Sequence, residues 1–198
     1  MGTSIRPRRL EHIGLVVRDL EMMVEFYCET LGMQVSDRMP YPEDAPITEG
    51  VFLRCNADHH SISMFGARNP PPAVGDDRNE GKLGMHHVAF EMASFAELKA
   101  AVRYVREREL PIRSMRIGGP GCQIRIYFWD PEDNLIELYW ALDKIGWDGR
   151  SRPWPPIEEI DIETFDIEAW LEWKGPEFTT DSLDPAWERE WTVDKAPT

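Results

Sequence analysis

The chain has 198 residues, enough for one well-buried domain or two small modules that complete one another, and short of the size at which cores usually split. Its formal charge of −14 disfavours nucleic acid and anionic membrane surfaces, because phosphate binding relies on clustered Lys and Arg releasing counterions. Cys28, Cys55 and Cys122 are too widely spaced for CxxC metal chemistry and odd in number, which argues against a closed disulfide framework and for a reduced, cytoplasmic protein.

The opening residues, MGTSIRPRRL, lack the apolar stretch of a secretory signal, and no later run approaches the roughly 18 apolar residues of a membrane span. Residues 10–17, LEHIGLVV, alternate as a strand; Asp19 then caps an amphipathic helix carrying Leu20, Met23, Val24, Tyr27 and Leu31 and ending at Gly32. Strands at 34–39, 49–55 and 59–65 complete this module.

The same β–α opening recurs at 85–92, MHHVAFEM. There Ser94 and Glu97 form a capping box ahead of Phe95, Leu98, Val102 and Val105. Strands at 122–129 and 134–140, joined by the turn Asp130-Pro131-Glu132-Asp133-Asn134, close the second module. The expected fold class is α+β: one domain over 1–142 built from two βαβββ modules, about 8–66 and 83–142, paired around a shared cleft.

From 143 the composition shifts to an acidic extension with Trp147, Trp154, Trp170, Trp173, Trp187 and Trp191. Burying that much aromatic area is favourable, so the extension is expected to wrap the body, with a short helix near 163–174, or to pack on a neighbouring subunit of a homo-oligomer. Its charge reads as a solvated face.

All five histidines, His12, His59, His60, His86 and His87, fall on predicted strands, and the repeat sets His12 opposite His87 at an offset of 75 residues. Glu137 lies mid-strand in an apolar run, where an unpaired buried charge is costly. A divalent metal held by two neutral imidazoles and this carboxylate satisfies all three groups, and two His with one carboxylate and open positions opposite is the ligand set of oxygen-activating Fe(II) sites. Taken singly, each residue reads as well as a hydrogen-bonded core group; the matched positions in two repeats are the specific signal.

Strand alternation places Gln123, Arg125, Tyr127 and Trp129 on one face, from which Arg125 can reach the cleft and hold a substrate carboxylate, the alternative being an ordinary surface or salt-bridged arginine. His59 and His86 point away from their neighbours, as hydrogen-bonded supports and not ligands.

The segments EHIGLVV, TLGMQVSD, FLRCNADHHSISMF, MHHVAFEM and IYFWDPEDNLIELYW resemble, in order and spacing, the vicinal oxygen chelate superfamily, and within it the type I extradiol ring-cleaving dioxygenases. The resemblance covers about residues 8–142 and leaves the extension unmatched. It implies a glyoxalase-like fold with a metal-containing cleft in which His12, His87 and Glu137 bind Fe(II), a ligand set that also suits Mn(II). It further implies that His60 is the acid/base histidine and that Tyr127 hydrogen-bonds a substrate oxygen. The implied partners are a small aromatic diol and O2. One departure stands out: Gly118 occupies the place, nine residues before Tyr127, where these enzymes usually carry a further histidine.

In the implied reaction the diol is cleaved beside its hydroxyls, with both atoms of O2 entering the product. An imidazole titrating near neutrality suits the base that takes a diol proton and later returns one. Two other readings share the fold. A glyoxalase-like lyase or isomerase recruits a fourth protein ligand from the end of the first module, where subtracting the repeat offset from Glu137 lands on Ile62. A metal-free binding protein of the antibiotic-resistance type commonly lacks the triad.

Overall fold

The computed structural model describes residues 10, 12–71, 85–143 and 153–174. They fall into two compact units, one within residues 1–77 that also takes in Asp130–Asp133, the other within 78–129 and 134–198.

Unit 1 runs β1 (Ile13–Val17), α1 (Leu20–Leu31), β2 (Gln34–Pro40), β3 (Ile47–Arg54) and β4 (Ile62–Ala67), with sheet order β1-β4-β3-β2 and β1 parallel to β4. Period-two alternation in β1 buries Leu15 and Val17. Asp19 caps α1 by accepting from the Met22 amide at 3.0 Å, and Gly32, at φ 64°, ends it in the left-handed conformation glycine adopts without steric cost. Met23, Val24 and Tyr27 are the buried face of α1. The Tyr27 hydroxyl donates to Asp130 at 3.1 Å, and the Glu132 carboxylate accepts the Arg18 and Asp19 amides at 2.8 Å each, so the acidic turn tip becomes part of this unit.

Unit 2 repeats the pattern with β5 (Val88–Glu91), α2 (Phe95–Glu107), β6 (Ile112–Ile117), β7 (Ile124–Trp129) and β8 (Leu135–Trp140), then adds β9 (Glu158–Glu159) and α3 (Ile167–Lys174). The order is β5-β8-β7-β6-β9, again with the first strand parallel to the last of the βαβββ set. The capping box forms one residue out of register: Ser94 accepts the Glu97 amide, while the Glu97 carboxylate accepts the amide of Ala93. On α2, Phe95, Leu98, Val102 and Val105 are buried, as are Ile136, Leu138 and Trp140 on one face of β8.

The α+β class with two βαβββ sheets is as expected. Three details differ. Strand β6 falls where sequence reading marked none, because its alternation is carried by Arg113, Ser114 and Arg116, polar residues with weak strand signatures. The first strands begin at Ile13 and Val88, after the histidines, so His12, His86 and His87 precede the strands and His59 and His60 sit in the loop before β4. The predicted helix at 163–174 starts only at Ile167, because Asp161–Thr164 forms a turn.

In the extension, Trp170 is buried against Trp140, with ring centroids 5.9 Å apart, while Trp154 and Trp173 stay about half exposed within the single chain. Trp147, Trp187 and Trp191 lie outside the described residues. Among the described residues no helix is long and apolar enough to cross a membrane.

The extension is pinned by a buried ion pair: Lys174, at the end of α3, donates to Asp143 at 2.5 Å and to the Cys122 carbonyl at 3.2 Å, and both side chains are almost fully buried. Removing one partner strands the other charge. Lys174→Ala is expected to lower unfolding stability by about 3–5 kcal/mol in urea titrations, and pairing Lys174→Met with Asp143→Leu to recover most of it.

Candidate functional site

In unit 2 the sheet register gathers the residues. Ala89 on β5 and Tyr127 on β7 both pair directly with Glu137 on β8, and Arg125 pairs with Tyr139, so these side chains share one face. His87 lies two residues before Ala89. Its Nε2 stands 3.0 Å from Glu137 Oε2, and its ring meets Tyr127 edge-on at 5.7 Å.

Glu137 is only 2% exposed, between Ile136 and Leu138, which point to the helix side. Gln123 donates to its other oxygen at 3.4 Å. Burial holds the His87 imidazole below its ordinary value and outweighs the Glu137 carboxylate, which acts in the opposite sense. A neutral imidazole beside a buried carboxylate is the donor chemistry of a divalent cation, whose charge would offset the one Glu137 carries. The Nδ1 atoms of His86 and His87 are 2.7 Å apart, which orients the His87 ring with Nε2 towards Glu137. Burial first, then Glu137, pushes the Tyr127 hydroxyl up to about 12, so it remains a proton donor at neutral pH.

In unit 1, His12 and His60 come together, with ring centroids 4.4 Å apart, and Phe52 meets His60 edge-on at 5.1 Å. His59 Nδ1 lies 2.9 Å from His60 Nδ1, and its Nε2 is 3.5 Å from Asp37. The neighbouring-histidine contact therefore recurs in both units, and it is possible because neither pair sits on a strand, where alternation would have turned the rings apart. Among the described residues no three His, Cys, Asp or Glu side chains are gathered tightly enough to hold a metal; of the expected ligands, His87 and Glu137 are in contact.

The repeat register corrects one sequence reading. Ala89 pairs with Glu137, and the equivalent of Ala89 in unit 1, Gly14, pairs with Ser63 and not with Ile62. The loop before β4 is one residue out of step with the simple offset. Ser63 is buried and donates to the Ile13 carbonyl at 3.4 Å.

Arg125 is no surface residue, and among the described residues it has no salt bridge: it is 5% exposed and donates from Nη1 to the carbonyls of Gly118 at 2.9 Å and Gln123 at 3.2 Å. Gly118 has φ +83°, and a Cβ built there would collide with the Pro156 carbonyl oxygen. The extension thus fills the space a histidine at 118 would need. Sequence reading gave Gln123 no role and missed Arg116, since neither stands in a motif and only strand pairing reveals their neighbours.

Two measurements test this geometry. In the metal-free protein the His87 imidazole should titrate below 6.5 by NMR, and Glu137→Gln should lower it further by removing the opposing carboxylate. Because the folded state then binds fewer protons than the unfolded chain, this histidine's contribution to stability falls as pH drops below about 6.5. Gly118→Ala should destabilise by at least about 1 kcal/mol, through positive φ and the Pro156 clash, and expose the extension to limited proteolysis.

The sequence family described as the Glyoxalase/Bleomycin resistance protein/Dioxygenase superfamily matches residues 9–138. The mitochondrial methylmalonyl-CoA epimerase of Homo sapiens is 30% identical over 135 residues, covering 66% of this chain and 72% of the epimerase. The catechol-2,3-dioxygenase of Bacillus subtilis is 28% identical over 172 residues, covering 85% of this chain and 54% of that enzyme, so its similarity runs past β8 into the extension. In fold, the chain is similar to the glyoxylase/bleomycin resistance protein/dioxygenase domain from Frankia sp. EAN1pec, with a TM-score of 0.53 at 19% identity over 65% of this chain and 93% of that one. With its two βαβββ units and this match, the chain belongs to the glyoxalase/bleomycin resistance protein/dioxygenase superfamily.

Proposed function

We propose that this chain is an extradiol dioxygenase in which His12, His87 and Glu137 hold Fe(II), and which cleaves a catechol-type ring beside its diol while both atoms of O2 enter the product. The observation that carries this reading over a four-ligand lyase, isomerase or epimerase is Ser63. The repeat offers unit 1 a position equivalent to Glu137, and it is filled by a hydroxyl engaged with the backbone instead of a carboxylate or imidazole. A three-ligand set leaves coordination positions for a diol and O2. The similarity to the Bacillus subtilis catechol-2,3-dioxygenase, which extends into the C-terminal segment, supports the same choice.

When bound, the iron supplies a path for electrons between ring and oxygen and acidifies the diol hydroxyls. The chain's own residues do the rest. His87, kept neutral by burial, offers a lone pair, and Glu137 brings the compensating charge. Gln123 and His86 hold these two groups in orientation. Tyr127, protonated at neutral pH, donates a hydrogen bond to a substrate oxygen. His60, against His12 and Phe52, takes the diol proton and returns one later.

The similarity to methylmalonyl-CoA epimerase supports a second reading, in which the same ligands serve metal-dependent proton transfer without O2. Anaerobic loading with Fe(II) or Mn(II), then oxygen uptake and a yellow ring-opened product across a panel of catechols, separates the two. Glu137→Ala should abolish uptake and metal retention. His60→Ala should keep the iron and lose about 10²–10⁴-fold in turnover. Tight metal binding with no uptake on any diol would overturn the dioxygenase in favour of a lyase or epimerase, and absence of metal binding would favour a binding protein.

A further inference from the structure

Arg116 on β6 and Arg125 on β7 are direct cross-strand partners, so both side chains stand on the face that carries Glu137 and Tyr127. Like charges directly opposite one another in a sheet are destabilising and persist where something compensates them. Arg125 has no such compensation among the described residues. Its guanidinium donates to two backbone carbonyls and lies against the Tyr127 side chain, and its Nε is buried with no partner. Arg116 Nε is also buried without a partner, and its carboxylate neighbour, Glu159 on β9, is 3.5 Å away and largely exposed. Next to them, the hydroxyl of Ser114, cross-strand from Tyr127, is a third buried group lacking a partner.

The carboxylates on this face do not answer that need. Glu137 is engaged by His87 and Gln123, and Glu91 lies on β5, paired with Tyr139 across β8. Three donors with unmet hydrogen-bonding capacity on one sheet face, two of them guanidinium groups, form a surface complementary to a carboxylate, which arginine's planar fork matches in a bidentate way. Arg125 and Tyr127 are two residues apart on β7, a spacing of about 7 Å. That is comparable to the distance from a ring hydroxyl to a carboxylate on the far side of the same benzene ring.

We propose that Arg125 and Arg116, with Ser114, form an anion subsite beside Tyr127, and that the substrate is a catechol carrying a carboxylate rather than a neutral diol. The identity of the diol rests on the dioxygenase reading; the anion preference does not.

The test is anaerobic titration calorimetry of the metal-loaded and metal-free protein with 3,4-dihydroxybenzoate and its methyl ester. The acid should bind about tenfold or more tightly than the ester, the gap should narrow with added salt, and it should fall below about threefold in Arg125→Met and in Arg116→Met. Arg125→Lys should keep part of it. Arg116 lies on a partly exposed strand, so its variant keeps the test decisive if Arg125→Met does not fold. Equal affinity for acid and ester in the unmodified protein, or a gap that survives in the variants, overturns the subsite. Oxygen uptake on diols without an acid preference would sink the subsite and leave the dioxygenase standing. An acid preference with no diol ever opened would do the reverse.

Discussion

The parallel pairing of the first strand with the last in each βαβββ unit is the constraint on which the rest depends. A parallel pair needs a long crossover, and here the helix and two antiparallel strands provide it. In unit 2 that pairing sets Ala89 opposite Glu137 and so brings His87, just before the strand, against the carboxylate. In unit 1 it sets Gly14 opposite Ser63 and places His12 at the corresponding point. One architectural rule, applied twice, yields a histidine at the mouth of each sheet and a carboxylate in one of them.

Buried charge sorts the remaining polar groups. Lys174 and Asp143 satisfy one another and tie α3 to the ends of the strand pair β7 and β8. Glu137 is held by an imidazole, an amide and the adjacent phenol. Arg125 is held by two backbone carbonyls and by the Tyr127 side chain, with no carboxylate among the described residues paired to it. The first arrangement is structural and self-contained, whereas the other two stand on the sheet face for which metal and anion binding are proposed. On the proposed reading, metal binding and anion recognition share one sheet face, where burial would make both interactions stronger than in water.

The extension belongs to this arrangement. Its chain passes over Gly118 and Gly119, where the Gly119 amide donates to the Pro155 carbonyl at 2.9 Å and positive φ lets the backbones approach. Gly118 in turn offers its carbonyl to Arg125. Gly118, at the place where the resemblance to extradiol dioxygenases implies a histidine, thus couples the extension to a buried arginine on the site face.

Much was legible in the sequence, because it depended on local rules. Period-two alternation marked β1 and β8, Asp19 and Gly32 marked the ends of α1, and the repeat of a strand and helix after a histidine marked the duplicated α+β plan. The choice of His87 with Glu137 followed from a charge set in an apolar strand, which needs a partner wherever the fold places it. Strand pairing lay beyond that reach. Ser63 instead of Ile62 opposite Gly14, Arg116 facing Arg125, and Pro156 filling the space over Gly118 are contacts between residues far apart in the chain, with no local pattern to announce them. By itself the sequence determined which side chains were available and which local elements would carry them; only the tertiary structure decided which would meet, because a shift of one residue in register exchanges the two faces of a strand.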